Sequence, residues 1–316
     1  MLRSIALALF IPLLAASTHA QDEDLLKLLG SEDEGPQYTT ASFKTTRVIN
    51  GHSTENTARG VLDFKIGHRF GTLEEGVSNF FGLDQASIRI GFDYGITDRL
   101  MIGIGRSSYQ KTVDGFVKYK LMRQCDSGCG SPLTMAFVAS SSATTLVAQD
   151  VPWYNPDQQD YFSHRLAYSF QLVLGRKFSD KLTLQLTPGL VHRNLTEFGE
   201  EQNDVYNVGI SGRMKLSKRV SFNAEYFYVL PNQLRGPTPE ELATDPNAGF
   251  KNSLSLGFDI ETGGHVFQLH FTNSTGMFER AFITETTNSW ADRQIHYGFN
   301  VSRVFTVAKP KQPKPL

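Results

Sequence analysis

The sequence lacks any internal apolar run long enough to form a transmembrane helix. Its mean hydropathy is -0.27, whereas a spanning helix needs roughly 20 consecutive, mostly apolar residues. A strand of a transmembrane β-barrel needs only about 9 to 11 residues, and half of them face the lumen and are free to be polar. The missing runs therefore exclude a bundle of membrane helices, but they leave a membrane-spanning barrel open.

The chain also lacks an excess of charge of either sign. Lys and Arg together number 31, and Asp and Glu together number 32, among 316 residues. Proteins that bind nucleic acids carry clustered positive charge on the binding face. We therefore expect no nucleic-acid partner.

The first twenty residues have the three parts of a secretory signal peptide. A short basic start with Arg3 precedes an apolar core from Ile5 to Ala16, and a small-residue site ends at Ala20. We predict a signal peptide over residues 1–20 with cleavage before Gln21. The mature protein is then exported.

Cysteine is scarce, with two residues in the chain. Cys125 and Cys129 lie in an expanded turn with the spacing C-DSG-C. In an oxidising compartment this pair favours a disulfide, with free thiols as the alternative. Haem attachment needs C-x-x-C-H, and a metal site needs further ligands, so we predict neither a cofactor nor a metal.

Four segments between Arg59 and Met122 place apolar residues at every second position. They are RGVLDFKIGHRF, ASIRIGFDYG, RLMIGIGRSS and DGFVKYKLM, each bounded by a turn or loop signal. This period is typical of a β-strand with one apolar and one polar face. From Gly60 onward about twelve such segments of roughly 9 to 13 residues follow, the length of membrane-spanning strands.

The connections between these segments alternate in length. Tight turns such as ITD, FSD, SKR and TGG alternate with long polar loops such as ATTLVAQDVPWYNPDQQDY. Two connections depart from the rule, because SYQKTV is short and QCDSGCGS is expanded. Barrels with periplasmic termini have short inner turns and long outer loops. We therefore predict a closed antiparallel transmembrane β-barrel of about twelve strands with periplasmic termini.

A soluble β-sandwich would also satisfy the alternation of apolar and polar residues. The number and length of the strands and the two-sided loop asymmetry favour the barrel. In a barrel, Leu184, Phe222 and Leu256 face lipid. In a sandwich, the same side chains lie buried between two sheets.

The polar faces of the predicted strands carry ionisable residues that we expect to line the lumen. They are Asp63, Lys65, Arg69, Arg89, Asp93, Lys118, Lys120, Arg165, Arg213, Glu225, Asp259 and His270. Basic residues predominate, which favours a polar pore with mild anion preference. Alternatively, the charges pair across the interior and seal it. The loop FERAFITETT, rich in apolar residues, is a candidate for folding inward and narrowing the bore.

Three further segments complete the domain prediction. Residues 21–58 form a periplasmic N-terminal leader that plugs the barrel, docks a partner or is only partly ordered. The barrel covers residues 59–307, and residues 308–316 form a Pro/Lys tail that cannot pair in a sheet. The last aromatic strand, which reaches Phe305, resembles the signal read by the bacterial barrel-assembly machinery. That machinery and outer-membrane lipid are the expected partners.

Long stretches of the chain resemble a known family. GVLDFKIGHRFG, FFGLDQASIRIGFDYGITDRLMIGIGRSSYQKTVDGFVKYKLMRQ, IETGGHVFQLHFTNSTGMFERAFITETT and IHYGFNVSRVF are similar to bacterial outer-membrane β-barrel proteins catalogued as domain of unknown function 5777. The resemblance covers nearly the whole mature chain and implies an outer-membrane barrel. It supplies no catalytic or ligand residues, and it implies periplasmic c-type cytochromes and other redox proteins as possible partners.

Ser255 and His270 raise a hydrolase hypothesis. If the TGG turn is centred on Thr262 and Gly263, the two residues face each other on the lumen side. However, cross-strand Ser and His are ordinary lumen residues, and no G-x-S-x-G context is present. We therefore assign no catalytic residue and predict that the protein is not an enzyme.

These features predict a passive, narrow pore for small polar solutes or ions in the bacterial outer membrane. The first alternative is a membrane scaffold for periplasmic electron-transfer partners of the c-type cytochrome class. The second is the barrel hydrolase. Ion conductance would favour the pore, whereas a blocked lumen with stable partners would favour the scaffold.

Overall fold

The computed structural model describes residues 36–157, 159–246 and 248–308. The predicted signal peptide, residues 21–35 of the predicted leader and residues 309–316 of the predicted tail lie outside this part of the chain. The strands are β1 (Gln37–Tyr38), β2 (Val61–Thr72), β3 (Ala86–Gly95), β4 (Leu100–Ser107), β5 (Thr112–Met122), β6 (Cys125–Ser127), β7 (Thr134–Thr144), β8 (Leu166–Lys177), β9 (Leu182–Arg193), β10 (Asp204–Lys215), β11 (Val220–Val229), β12 (Ser253–Thr262), β13 (His265–Thr272) and β14 (His296–Thr306). The α-helices are α1 (Pro239–Thr244) and α2 (Glu279–Thr284).

Twelve of these strands form one closed barrel. Each pairs antiparallel with its neighbours in chain order, with β6 left out, and β14 pairs with β2 to close the wall. The small strands β1 and β6 form a separate two-stranded sheet. The prediction of a closed antiparallel barrel of about twelve strands is therefore confirmed.

The period-two pattern of the sequence sets which side chains face out. On β8, Phe170 faces outward, while its neighbours Ser169 and Gln171 are buried. The same rule leaves Ile210 57% exposed and Leu184 47% exposed on the outer wall. Because these side chains do not meet a second sheet, the sandwich alternative is wrong.

The two ends of the barrel differ. One end carries the tight turns 96–99, 178–181 and 216–219 and the Gly263–Gly264 turn; we call it the short-turn end. The other carries the loops 73–85, 108–111, 145–165, 194–203, 230–252 and 273–295; we call it the long-loop end. Chain entry into β2 and exit from β14 both lie at the short-turn end.

Two apolar clusters lie inside the wall. One joins Val191, Val205, Phe227 and Val229 of the barrel to Phe282 and Ile283 of α2. The other consists of Met101, Phe116, Ala136, Val138 and Val173. Most of the remaining inward-facing wall is polar, which makes the interior unlike the core of a soluble domain.

Candidate functional site: a plugged lumen

Almost all the residues predicted to line the lumen lie on inward-facing positions of the barrel strands. Arg69, Lys118 and Glu225 are each 2% exposed or less, and Asp63, Asp93, Arg213 and Asp259 are also buried. Arg165 is the exception. It is the last residue of the 3-10 turn Phe162–Arg165, and β8 begins at the next residue, Leu166. Its guanidinium binds Asp160 and the carbonyl of Leu146 at the long-loop end.

A hairpin formed by residues 41–58 occupies the lumen; we call this segment the plug. Its two arms pair through an antiparallel bridge between Arg47 and His52. The amide of Val48 donates to the carbonyl of Gly51 at 2.8 Å and closes the tip. The chain then leads directly into β2, so the plug enters and leaves through the short-turn end.

The tip of the plug is held by one carboxylate of the wall. Glu225 on β11 accepts the backbone N–H groups of Ile49, Asn50 and Gly51, at 3.3, 2.9 and 2.9 Å. Three N–H donors that converge on one buried carboxylate stabilise its negative charge, although no cationic side chain of the described residues contacts it. The amide side chain of Asn50 also donates to Ser255 at 3.0 Å and accepts from Arg69.

The arms of the plug are held by charged groups of the wall nearer the short-turn end. Lys118 donates to the carbonyl of Glu55 at 2.5 Å, and the ammonium of Lys120 lies 3.8 Å from the Glu55 carboxylate. On the opposite arm, Thr46 donates to Asp93 at 2.8 Å. Arg213 donates to the carbonyls of residues 41 and 42 at 3.1 and 3.3 Å. Charges of the wall therefore bind plug backbone as well as one another.

The helix α2 closes the lumen from the long-loop end. All six of its residues are buried, and Phe282 packs against Phe227 of the wall with ring centroids 5.0 Å apart. Glu279 then meets the plug, binding Arg47 at 2.7 Å and lying 3.4 Å from the ring of His52. The loop FERAFITETT thus folds inward, as its composition suggested.

His52 is fully buried between the plug, α2 and Phe116, whose ring lies 4.5 Å from the imidazole. Burial holds the pKa of His52 well below its usual range, and the nearby positive charges, Arg47 first among them, lower it further. The imidazole is therefore neutral in this arrangement at neutral pH.

A small clasp fixes the chain before it enters the lumen. Strand β1 pairs with β6, and Thr39 donates its amide to Gln124 at 2.9 Å and its hydroxyl to Asp126 at 2.8 Å. Cys125 and Cys129 form a disulfide across the turn that contains β6. The predicted disulfide is confirmed, and it stiffens the turn on which the plug's entry strand rests.

Among the described residues, an open cavity lies on each side of the plug. The one at the short-turn end has a volume of about 290 Å³ and lies between the plug and the strands β12, β13, β14 and β2. The one at the long-loop end has a volume of about 460 Å³ and is walled by five of the long loops; we call it the vestibule. The plug and α2 lie between them.

The register of β12 and β13 corrects the Ser255–His270 hypothesis. Thr262 pairs with His265, so the turn is centred on Gly263 and Gly264, which have φ values of +39° and +108°. A two-residue hairpin turn favours left-handed φ values that glycine adopts and threonine avoids. Ser255 consequently faces Thr272, and His270 faces Gly257. The predicted Ser–His pairing is wrong.

Three acidic residues that make contacts inside the lumen are absent from the set predicted from the sequence. Asp114 forms a paired contact with Arg89, whose Nε lies 2.9 Å from Oδ1. Asp114 lies on the polar face of DGFVKYKLM beside Lys118, so alternation alone was a sufficient signal for it. Glu55 and Glu279 had no such signal, because they lie in a hairpin arm and a loop helix.

No group of three or more His, Cys, Asp or Glu side chains in the part of the chain that the structure describes is arranged to hold a metal ion. Within the same residues, no helix has the length and apolar character required to cross a membrane.

Comparison with known proteins identifies the family. The sequence profile of the membrane bound beta barrel domain (DUF5777) matches residues 43–305. The chain belongs to this family. The match to the DUF5777 barrel begins inside the plug, at Phe43, and ends on the last strand, at Phe305. A comparison with proteins of curated function found no match.

Solved barrels resemble the DUF5777 barrel at low identity. The KdgM porin is 9% identical, with 78% of this chain and 99% of that chain covered and a TM-score of 0.43. The COG4313 outer membrane channel from Pseudomonas putida F1 is 14% identical, covering 80% and 98%, with a TM-score of 0.43. The Acinetobacter baumannii outer membrane protein Omp33 is 8% identical, covering 77% and 97%, with a TM-score of 0.39. Strand pairing and the family match, rather than these similarities, define the fold.

Proposed function

We propose that this DUF5777 barrel is an outer-membrane channel for small polar solutes or ions, closed in the described conformation by the plug. The observation that carries this proposal is how the plug is held. It enters and leaves through one end of the barrel, and its main attachments are hydrogen bonds and ion pairs to the wall. A hairpin with this geometry leaves the lumen without unthreading.

The polar character of the attachments favours reversible withdrawal. Neither buried apolar cluster contains a residue of the plug, although Phe43, Val48 and Ile49 of the plug are themselves buried. Hydrogen bonds exchanged for contacts with water cost about 0.5–1.5 kcal/mol each, whereas unpaired burial costs more. When the plug leaves, water enters and solvates both Glu225 and the plug amides. The polar contacts are therefore exchanged at small net cost, and the main opposing cost is the exposure of Phe43, Val48 and Ile49 of the plug to water.

The wall that remains after withdrawal has nearly balanced charge. On one side of the lumen Lys65 lies 3.4 Å from the Asp63 carboxylate and 3.1 Å from the Asp93 carboxylate. Arg89 is already neutralised by Asp114. We therefore expect weak ion selectivity, rather than the mild anion preference indicated by the sequence alone.

A disulfide lock tests the proposal. A Cβ atom built on Gly175 of β8 lies 3.6 Å from the Cβ of Thr54 in the plug, within the roughly 3.5–4.5 Å typical of disulfides. Thr54→Cys with Gly175→Cys, in a background where both native cysteines are serine, should fasten the plug to the wall. In planar bilayers we expect no conductance from the oxidised protein and opening events after a thiol reductant is added.

The single variants Thr54→Cys and Gly175→Cys provide the controls. Neither can form the bond, so each should conduct equally before and after reduction. Conductance of the oxidised double variant, with the bond verified by mass spectrometry, would contradict gating by the plug. Absence of conductance in the unmodified protein and all variants would contradict the channel itself.

The filled lumen also supports a second candidate, a membrane scaffold for periplasmic electron-transfer partners. In that case the plug is permanent, and the clasp formed by β1 and β6 presents the chain to a partner at the short-turn end. Co-purification of a haem protein with the locked, oxidised variant and with the unmodified protein alike, without conductance from either, would support the scaffold.

A further inference from the structure

The vestibule at the long-loop end is a cavity of the size that small ligands occupy. Its volume of about 460 Å³ falls within the roughly 300–1,000 Å³ of small-molecule sites. Loops from five strand connections converge on it, among them those carrying Gln110, Trp153, Arg235 and Glu285, and Arg193 reaches it from the end of β9. It is separated from the plug by α2.

The charged groups of the vestibule are matched in pairs. Arg193 binds Glu201 at 2.8 Å, Arg235 binds Glu241 at 3.1 Å, and Arg280 binds Glu285 at 3.0 Å. Each arginine therefore has a carboxylate at its side, and Glu197 adds a further acid. With four carboxylates to three guanidinium groups the lining does not favour anions, and each Arg–Glu pair offers an uncharged ligand a donor and an acceptor side by side.

Aromatic faces lie beside these pairs. The guanidinium carbon of Arg235 stacks 4.3 Å from the ring centroid of Phe198, and that of Arg280 lies 6.0 Å from the Trp153 ring. Phe250 and Tyr109 line the same space. A flat apolar face flanked by donors and acceptors suits a ligand with both apolar C–H surface and hydroxyl groups.

The backbone holds two of the polar groups in place. Glu241 closes a capping box at the start of α1, accepting from the Thr238 amide at 2.7 Å while its own amide donates back at 3.2 Å. Gln110 has a φ of +48°, a strained value for a residue with a side chain. This conformation places its carboxamide between Arg280 and Glu285, bonding to both.

From these features we propose that the vestibule binds a neutral, polyhydroxylated solute of monosaccharide or disaccharide size. Each hydroxyl of such a solute can accept a hydrogen bond from the arginine and donate one to the glutamate of the same pair. An anion is repelled by the glutamate of every pair, and a cation is repelled by the arginine. Ring C–H groups pack on Trp153 and Phe198. The proposal that this solute binds depends on the vestibule alone. Only the idea that the barrel transports the solute depends on the proposed channel function.

Tryptophan fluorescence tests the site. The chain has two Trp residues, and Trp290→Phe leaves Trp153 as the sole reporter; Trp290 itself donates to the Leu254 carbonyl at 3.0 Å. Glucose, maltose, galacturonate and glucosamine are titrated into the full-length, detergent-solubilised protein. We expect a saturable change with a neutral sugar at roughly millimolar concentration, and weaker binding of the charged sugars.

Matched variants assign the effect to the vestibule. Arg235→Gln should weaken binding of the neutral sugar roughly tenfold, whereas Arg219→Gln, in an exposed turn at the opposite end, should leave it unchanged. Circular dichroism checks that both variants fold. No saturable change with either neutral sugar, or tighter binding of galacturonate or glucosamine, overturns the inference. The titration needs no membrane and is independent of conductance. A protein that conducts ions but binds no neutral sugar would therefore contradict this site and not the channel.

Discussion

Glu225 illustrates how one residue fixes the position of the plug. Its carboxylate collects three backbone N–H groups of the tip, and hydrogen bonds to a charged group contribute about 1.5–3 kcal/mol each. In Glu225→Gln, the amide retains one oxygen acceptor and turns its NH₂ group toward the donors. We expect single-channel open probability to rise roughly tenfold or more.

Glu240→Gln is the control for Glu225→Gln. Glu240 lies exposed on α1, so the same chemical change there should leave the open probability unaltered. An open probability of Glu225→Gln equal to that of the unmodified protein would mean that the tip is held by other contacts, such as those of Asn50 with Ser255 and Arg69.

In the proposed channel, we expect His52 to make the plugged state sensitive to acid. Its pKa is lowered in the plugged lumen and returns toward roughly 6.5 when water reaches it. The plugged state therefore binds fewer protons than the open state, so plugging is stable above the ordinary histidine value and weakens as pH falls below it. Glu279 opposes this effect by favouring the imidazolium, but burial and the charges of Arg47, Lys118, Lys65 and Arg89 outweigh it.

We accordingly expect channel opening to increase as pH falls from about 7 to about 5, above the range in which ordinary carboxylates titrate. His52→Phe keeps the ring against Phe116 and removes the titrating group. Conductance of this variant should be independent of pH over the same range. A pH response of equal size in the variant would assign the effect to another group.

At the level of elements, the clasp of β1 and β6 determines how firmly the plug is anchored. Removing the disulfide with Cys125→Ser and Cys129→Ser frees the turn that β1 pairs with, so β1 should open locally more often. We expect faster amide hydrogen exchange at residues 37–39, with exchange in β8 and β9 unchanged.

Ser217→Ala, in another turn of the same end, is the control for the clasp. It should alter exchange only near its own turn. Unchanged exchange at residues 37–39 after loss of the disulfide would show that β1 is held by Thr39 and by the contact of Arg123 with Tyr38 instead.

The barrel strands could be predicted from the sequence because each one carries its own period-two pattern, as in Ile88, Ile90 and Phe92 of β3. A plug is one of the alternatives that the sequence offers for residues 21–58, but its hairpin and contacts could not be predicted. Residues 41–58 have no period, and their partners, such as Glu225 and Lys118, lie far away in the chain. The predicted register of β12 and β13 was wrong for a local reason. The sequence TGG allows a two-residue turn centred on either Thr262–Gly263 or Gly263–Gly264. Only backbone geometry separates these two turns.

The vestibule was also beyond sequence reasoning. Arg193 ends strand β9, Arg235 lies in the loop 230–252 and Arg280 lies in α2. Nothing in the spacing of these residues indicates that each meets its own glutamate. In the sequence, the alternation of β8 extends backward to His164 and therefore predicts that Arg165 faces the lumen. The 3-10 turn ends that alternation at Leu166, where the loop meets the wall.

At the level of the whole molecule, the plug and α2 close the lumen from opposite ends and meet at Glu279. Arg47 and His52 of the plug both contact this carboxylate. Withdrawal of the plug therefore leaves Glu279 without its cation in the lumen, and water entering from either cavity solvates it. The two closures are coupled through this contact.

The wall also makes the molecule a membrane protein, and depth-dependent substitutions test that property. Ile210 lies near the middle of β10 and is 57% exposed on the outer face, whereas Leu216, 52% exposed, follows the end of the strand. Arginine at the bilayer midplane costs about 2–4 kcal/mol, falling to about 0–1 kcal/mol near the interface.

We therefore expect Ile210→Arg to lower the free energy of unfolding in phospholipid vesicles by roughly 2–4 kcal/mol, and Leu216→Arg by less than about 1 kcal/mol. Guanidinium titration followed by tryptophan fluorescence measures both. The two side chains have nearly equal exposure, so a surface in contact with water throughout would give equal, small effects. Only a bilayer around the middle of the strands makes the two substitutions differ.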